Sequence, residues 1–248
     1  AELIKPVTKA RQCSYVEVVA KSAQPPKWFV SHWWGEPVLS FVACLRRHCE
    51  LRSPGNVDLP YWVCAYANNQ WKLAEDVSSD PATSAFNRAL DFCIGTVTVL
   101  DKGSQTYSRI WCGFEIAATL QAKEKLYDVV TALEYEDPLE EITHRAVAIT
   151  DGQAVGYTDA NGSSWQQEHE ANFPLHLAEN ALSIRLQDAQ ASVELDRRRI
   201  LNCIAGAADP DAQPCLRHPK YDVINGVLRG RFASAALRNA IDHGRTTK

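Results

Sequence analysis

Five consecutive residues near the middle of the chain, Thr96-Val97-Thr98-Val99-Leu100, are all β-branched or apolar. A run of this kind suits a strand buried on both faces, and such strands belong to parallel sheets covered by helices. A polar turn, Asp101-Lys102-Gly103-Ser104-Gln105, follows it. The stretch Tyr107-Ser108-Arg109-Ile110-Trp111-Cys112-Gly113-Phe114-Glu115-Ile116 then opens a helical segment that extends to Ala122. Strand, loop and helix in that order bring the helix N-terminus to the carboxyl edge of a parallel sheet. Trp111 and Glu115 are four apart, so a helix stacks them on one face. An indole beside a carboxylate suits a ligand that carries both a ring and hydroxyls or positive charge.

The same alternation recurs along the chain. Residues 1–27 lack a clear period and end in Gln24-Pro25-Pro26, a lead-in with one short element. Trp28-Phe29-Val30-Ser31 is a first strand, and His32-Trp33-Trp34-Gly35-Glu36-Pro37 is the loop that leads into a helix over 37–49. Residues 59–66 form a second, aromatic-rich strand. A loop then runs from Asn68-Asn69-Gln70-Trp71 to Asp80-Pro81. Thr83 or Ser84 caps a helix through Phe92. Residues 126–133 form a fourth strand, 138–149 a helix, and 182–186 a fifth strand. The Gly-, Asn-, Asp- and Ser-rich residues 151–173 are a long surface loop. A helix over 188–204 stops at Gly206, and two short helices, 221–228 and 233–241, complete the chain.

The fold class implied is α/β: a flavodoxin-like open parallel five-stranded sheet in the order 2-1-3-4-5, with helices on both faces and a C-terminal helical extension. The corresponding division is a lead-in over 1–27, an α/β domain over 28–205 and a helical extension over 206–248 packed on it. Winding reverses between strands one and three, and ligands of such sheets sit in the crevice at that reversal. Ser31-His32 and Leu100-Asp101 end those two strands, so the tryptophan-rich loop and the Trp111–Glu115 helix face one crevice.

Composition sets the remaining bounds. The formal charge of −4 gives no general basic surface, so nucleic acid is not expected as the main partner. No apolar run approaches bilayer length, and the N-terminus lacks a signal-peptide pattern. The eight cysteines include no CxxC pair, and Cys44, Cys64, Cys93 and Cys203 lie in apolar runs. Reduced thiols and a cytoplasmic setting are expected, with no metal. Methionine is absent and the chain begins at Ala1, which hints at a fragment or processed form.

Three blocks together resemble TIR domains, in particular a TIR-like group of algal and other protist proteins: Ser31-His32-Trp33-Trp34, the strand from Tyr61 to Gln70, and Ser108-Arg109-Ile110-Trp111-Cys112-Gly113-Phe114-Glu115. The resemblance covers roughly residues 28–135, and each block alone is a weak signal. It implies two kinds of activity, self-assembly in signalling and cleavage of nicotinamide from NAD. In the enzymatic branch the glutamate of the third helix is essential and an aromatic residue one turn earlier shapes the pocket; Glu115 and Trp111 match those positions. NAD is then a substrate, and no cofactor is implied. Ser31, His32, Trp33, Trp34, Asp101, Arg109 and Asn69 are the further candidates for binding it, with Asn68, Asn69 and Gln70 lying where the family carries its self-association or gating loop. The family's second strand often carries an acid where Cys64 stands here. Expected partners are NAD or a related nucleotide, further copies of the chain and other TIR-like or parent-protein domains, with no nucleic acid and no membrane.

Other chemistries compete for the same residues. Cys112 at a helix start, with a lowered thiol pKa and His32 near it, suits a Cys–His hydrolase. His32, Cys64 and Cys112 are also metal-ligand types, although their spacing does not force them together. A non-catalytic TIR-like module for self-association, signalling or scaffolding is the main alternative. It predicts exposed apolar surface on the 68–80 loop or on the C-terminal helices.

Overall fold

The computed structural model describes residues 4–56, 58–72, 80–133, 146–151, 170 and 172–246. Its centre is a five-stranded sheet in the order β2-β1-β3-β4-β5, formed by β1 (Trp28–His32), β2 (Tyr61–Val63), β3 (Gly95–Val99), β4 (Leu126–Ala132) and β5 (Ala146–Ile149). The first four strands pair in parallel and β5 runs antiparallel to β4. All five residues of β3 are buried, as its unbroken β-branched run requires. Gly95 opens that strand where a Cβ would lie 2.4 Å from the Leu126 carbonyl oxygen and 2.8 Å from the Trp28 ring. Absence of a side chain there is what lets β1, β3 and β4 close together.

Alternation along β1 divides the core. Trp28 and Val30 pack with Val97, Val99 and Val130 beneath α3 (Val38–Arg52), whereas Phe29 turns to the opposite face. That opposite face carries α5 (Ala85–Phe92) and α7 (Ile110–Gln121). It also carries the larger apolar cluster, which takes in Phe114, Ile116, Tyr127, Val129, Ile200, Tyr221 and Phe232. Ser31 shares its parity with Phe29 and His32 shares it with Trp28, so two neighbouring residues at the strand end address opposite faces.

Before the sheet come two short helical turns, α1 (Ile4–Thr8) and α2 (Val16–Val19), and β2 passes directly into α4 (Cys64–Ala67). The second strand is therefore shorter than the aromatic run that announces it: its pairing with β1 ends at Val63↔Val30. Ser84 is the cap of α5, accepting from the Asn87 amide at 3.3 Å. Helix α3 continues three residues past its expected end at Cys49, because Arg52 reaches back beneath it into a buried ion cluster. The stretch after β3 splits into α6 (Gln105–Ser108) and α7, with Arg109 extended between them and bridged to Gln190.

Four expectations for the later chain are corrected. Residues 146–149, expected as the end of a helix, are β5, because Ala-Val-Ala-Ile completes the sheet edge with all four residues buried. Residues 138–145 lie outside the described residues. The expected fifth strand at 182–186 is not a strand: α8 (Leu175–Leu182) ends there, a 3₁₀ turn occupies Leu186–Asp188, and the Leu186 amide donates to Asn225 Oδ1 at 2.9 Å. Most of the expected 151–173 loop likewise lies outside the described residues. Helix α9 (Glu194–Ala205) starts later than Asp188 and stops at Gly206, whose φ of 75° only glycine adopts freely. The two short C-terminal helices are one, α10 (Pro219–Thr246), whose Tyr221, Ile224, Leu228, Phe232 and Ala235 recur every three or four residues and are all buried.

Candidate functional site

At the carboxyl ends of β1 and β3 the winding reverses, and a hollow of about 460 Å³ opens there, lined by residues that include Trp33, Trp34, Phe86, Arg109, Trp111 and Glu115. The volume lies within the range of roughly 300–1,000 Å³ usual for small-molecule sites. Glu115 reaches it from the second turn of α7 and is only 4% exposed. Its Oε2 is buried and has no hydrogen-bond partner among the described residues. Burial pushes its carboxyl up to about 8, and the nearby Ser31 hydroxyl draws it back only in part. Ser31 Oγ is itself buried and makes no hydrogen bond to any described residue, so the two groups are neighbours without being joined. An ionisable group held this way costs stability unless something enters to satisfy it.

Aromatic rings form one wall. Phe29 stacks on Trp62 with 4.7 Å between centroids, Trp62 meets Phe86 edge-on at 5.5 Å, and Phe86 stacks on Trp111 at 5.2 Å. One face of the Trp111 indole is thus already covered, and the ring is braced as a wall beside Glu115 rather than hanging free. Trp33 is folded over Gly35, where an added Cβ would strike its ring at 2.3 Å. Trp34 is 57% exposed and donates its indole N–H to Cys64 Sγ at 3.1 Å. Arg109 also lines the hollow, and its guanidinium makes no ion pair or hydrogen bond with any described residue.

His32 lies where the hollow meets the α3 side of the sheet. Desolvation lowers its pKa to about 4, so the ring is neutral at ordinary pH. Its Nδ1 lies 3.3 Å from the Trp33 carbonyl oxygen and its Nε2 lies 3.8 Å from Cys64 Sγ. Cys112 instead donates its thiol to the His32 carbonyl oxygen at 3.6 Å. The expectation of a lowered thiol pKa at Cys112 is reversed: burial, and then the Glu115 charge, push it well above the ordinary value. Burial also raises the Cys64 thiol to about 12. Neither sulfur is a nucleophile activated by His32. Among the described residues no group of three or more His, Cys, Asp or Glu side chains is arranged to hold a metal ion.

Two expected binding residues do other work. Asp101 is buried, with Oδ2 accepting from the Gly103 amide at 3.0 Å and Oδ1 from the Thr106 amide at 3.0 Å and hydroxyl at 3.2 Å. Its carboxylate is consumed in shaping the turn after β3, as Asp side chains in such turns commonly are. Asn69 donates to the Gln12 carbonyl oxygen at 2.7 Å and accepts from the Trp71 amide at 2.9 Å, tying α4 to the N-terminal segment. The neighbouring Asn68 lines the hollow in its place. Phe86, which the sequence marks only as an apolar position of α5, supplies the second ring of the wall. Its signal was the cap at Ser84, which fixes the phase of that helix.

Comparison of the chain with protein-family models, with curated proteins and with solved structures gives no match in any of the three.

Proposed function

We propose that the chain is a TIR-like domain that cleaves the nicotinamide–ribose bond of NAD, with Glu115 as the reacting carboxylate. The observation that carries this reading is Glu115, whose side chain lines an open, ring-walled hollow at the topological switch of the sheet and whose buried Oε2 has no hydrogen-bond partner among the described residues. Breaking the bond between C1′ and the pyridinium nitrogen sends the electron pair to that nitrogen. Nicotinamide departs neutral, so no strong general acid is needed. The ribose acquires oxocarbenium character, which a carboxylate beside it stabilises and whose hydroxyls it can hold. Water adds at C1′ and releases a proton, giving ADP-ribose. Trp111 walls the pyridinium and Arg109 supplies a cation for the diphosphate.

Burial pushes the Glu115 carboxyl up to about 8, which favours its protonated form at neutral pH, and an incoming pyridinium cation favours the ionised form. Binding and activation are coupled in this way. No helix among the described residues is long and apolar enough to cross a membrane. Incubating the protein at high concentration with NAD and measuring free nicotinamide by chromatography tests the reading; steady release supports it, and no release at any concentration contradicts it.

A second reading, a non-catalytic module for self-association, signalling or scaffolding, is favoured by one observation. Val223, Val227, Leu237 and Ile241 are exposed along α10, on the face of that helix opposite its buried stripe. An assembled but inert protein would speak for it.

A further inference from the structure

A second hollow, of about 790 Å³, adjoins the first and shares His32 and Trp34 with it. It lies on the α3 side of β1 and is closed by the N-terminal segment, with Ile4, Val7 and Tyr15 on one side and Ala65, Tyr66 and Gln70 of the α4 region on the other. Tyr15 and Tyr66 touch at its rim, with ring centroids 5.7 Å apart and planes tilted by 48°. Glu36 contributes a carboxyl that bonds to no described residue. Burial, together with the Asp101 charge, raises that carboxyl to about 7. No Lys or Arg is among the described residues lining this hollow, whereas Arg109 lines the other.

We propose that this second hollow receives the purine nucleoside end of the dinucleotide, stacked against Tyr66 and Trp34, with Glu36 accepting from its amino or hydroxyl groups. The proposal rests on the reading of the first hollow as the nicotinamide–ribose site. The division of charge supports it: rings, a carboxyl and no cation suit an uncharged base and ribose, while the anionic diphosphate stays with Arg109. Trp34, lining both hollows, forms the partition that the dinucleotide passes. The N-terminal helices α1 and α2 then belong to the binding site.

The test uses substrates that do and do not reach the second hollow. Nicotinamide mononucleotide keeps the reacting bond and lacks the purine nucleoside. Tyr66→Ala changes a half-exposed side chain and leaves the Glu115 hollow alone. It is expected to raise the KM for NAD about tenfold, as the loss of one stacking partner does. The kcat for NAD and both constants for the mononucleotide stay unchanged. Equal changes for the two substrates, or none for NAD, would overturn the proposal. If the parent protein cleaves neither substrate, the nicotinamide–ribose reading fails and AMP binding, followed by tryptophan fluorescence, decides on the second hollow alone. AMP that binds the parent and Glu115→Gln but not Tyr66→Ala supports it; AMP that fails to bind, or binds Tyr66→Ala equally, overturns it.

Discussion

Glu115 and Asp101 are both buried carboxyls at the same sheet edge, and their environments send them to different tasks. Asp101 accepts three hydrogen bonds from its own turn and is spent there. Glu115 has one oxygen with no donor among the described residues and is pushed up to about 8 by burial. That difference has a kinetic consequence. A reaction that needs the ionised form should show kcat/KM rising about tenfold per pH unit below pH 8 and levelling above it, since this ratio reports the free protein. If NAD is the substrate as proposed, the kcat profile should bend at lower pH, because a bound pyridinium would favour the carboxylate. A flat kcat/KM from pH 6 to 9 would contradict a role for the ionised form. At this scale the four-residue spacing of Trp111 and Glu115 was legible in the sequence, because a helix converts spacing into a shared face. The fates of Asp101 and Asn69 were not. Their partners are backbone amides and carbonyls, whose direction follows from turn geometry rather than residue identity.

Among the elements, β1, β3, β4, α5 and α7 follow from their own residues, since burial on both faces or a capped apolar period leaves each segment one good solution. The sheet order was also legible, but the segment that fills its fifth place was not. Ala-Val-Ala-Ile at 146–149 is too short to separate strand from helix by period, and only the open edge of β4 decides between them. Helix α10 misled in the opposite sense. Gly230 falls in the gap expected between two helices, yet the buried stripe from Tyr221 to Ala235 holds one helix through it and through Gly226. Both glycines are exposed, and a Cβ at either meets nothing within 4 Å. Gly226→Ala and Gly230→Ala should therefore each stabilise the fold by about 1 kcal/mol, read as a higher urea midpoint with an unchanged slope. A lower midpoint would mean that the helix needs its flexibility at these places.

Across the whole molecule, a buried polar cluster joins the α3 side of the sheet to the C-terminal helix. Asp128 on β4 is fully buried and accepts from Arg52 at 2.6 and 2.7 Å, from His48 Nε2 at 2.9 Å and from the Asp151 amide at 2.8 Å. Arg231 of α10 pairs with Asp151 at 2.8 Å and donates to the Tyr127 carbonyl oxygen. Burial alone would raise the Asp128 carboxyl, but the bonds from His48 and Arg52 outweigh it and hold it below the ordinary carboxylate range. Burial lowers the His48 pKa below its ordinary value, against the pull of Asp128, and its Nδ1 lies 2.8 Å from the Tyr61 hydroxyl. Both shifts act in the same direction on stability. A lowered His48 pKa means that the unfolded chain takes up the extra proton as pH falls below about 6.5. A lowered Asp128 pKa adds a further loss as pH falls below about 4. Asp128→Asn leaves the buried Arg52 charge without its counter-ion and should cost about 3–5 kcal/mol at pH 7. The penalty should shrink in acid, where the parent loses the same carboxylate. An equal penalty at pH 3 and pH 7 would show that packing, not charge, sets the cost.

Glu115 and its hollow carry the functional account, so nicotinamide release from NAD by the parent protein and by Glu115→Gln, at matched high concentration and with both folded by circular dichroism, tests it most directly. Release by the parent and a loss of at least about a hundredfold in the variant is the predicted result, in keeping with removal of a group that stabilises developing charge. Equal release by the two proteins would contradict it.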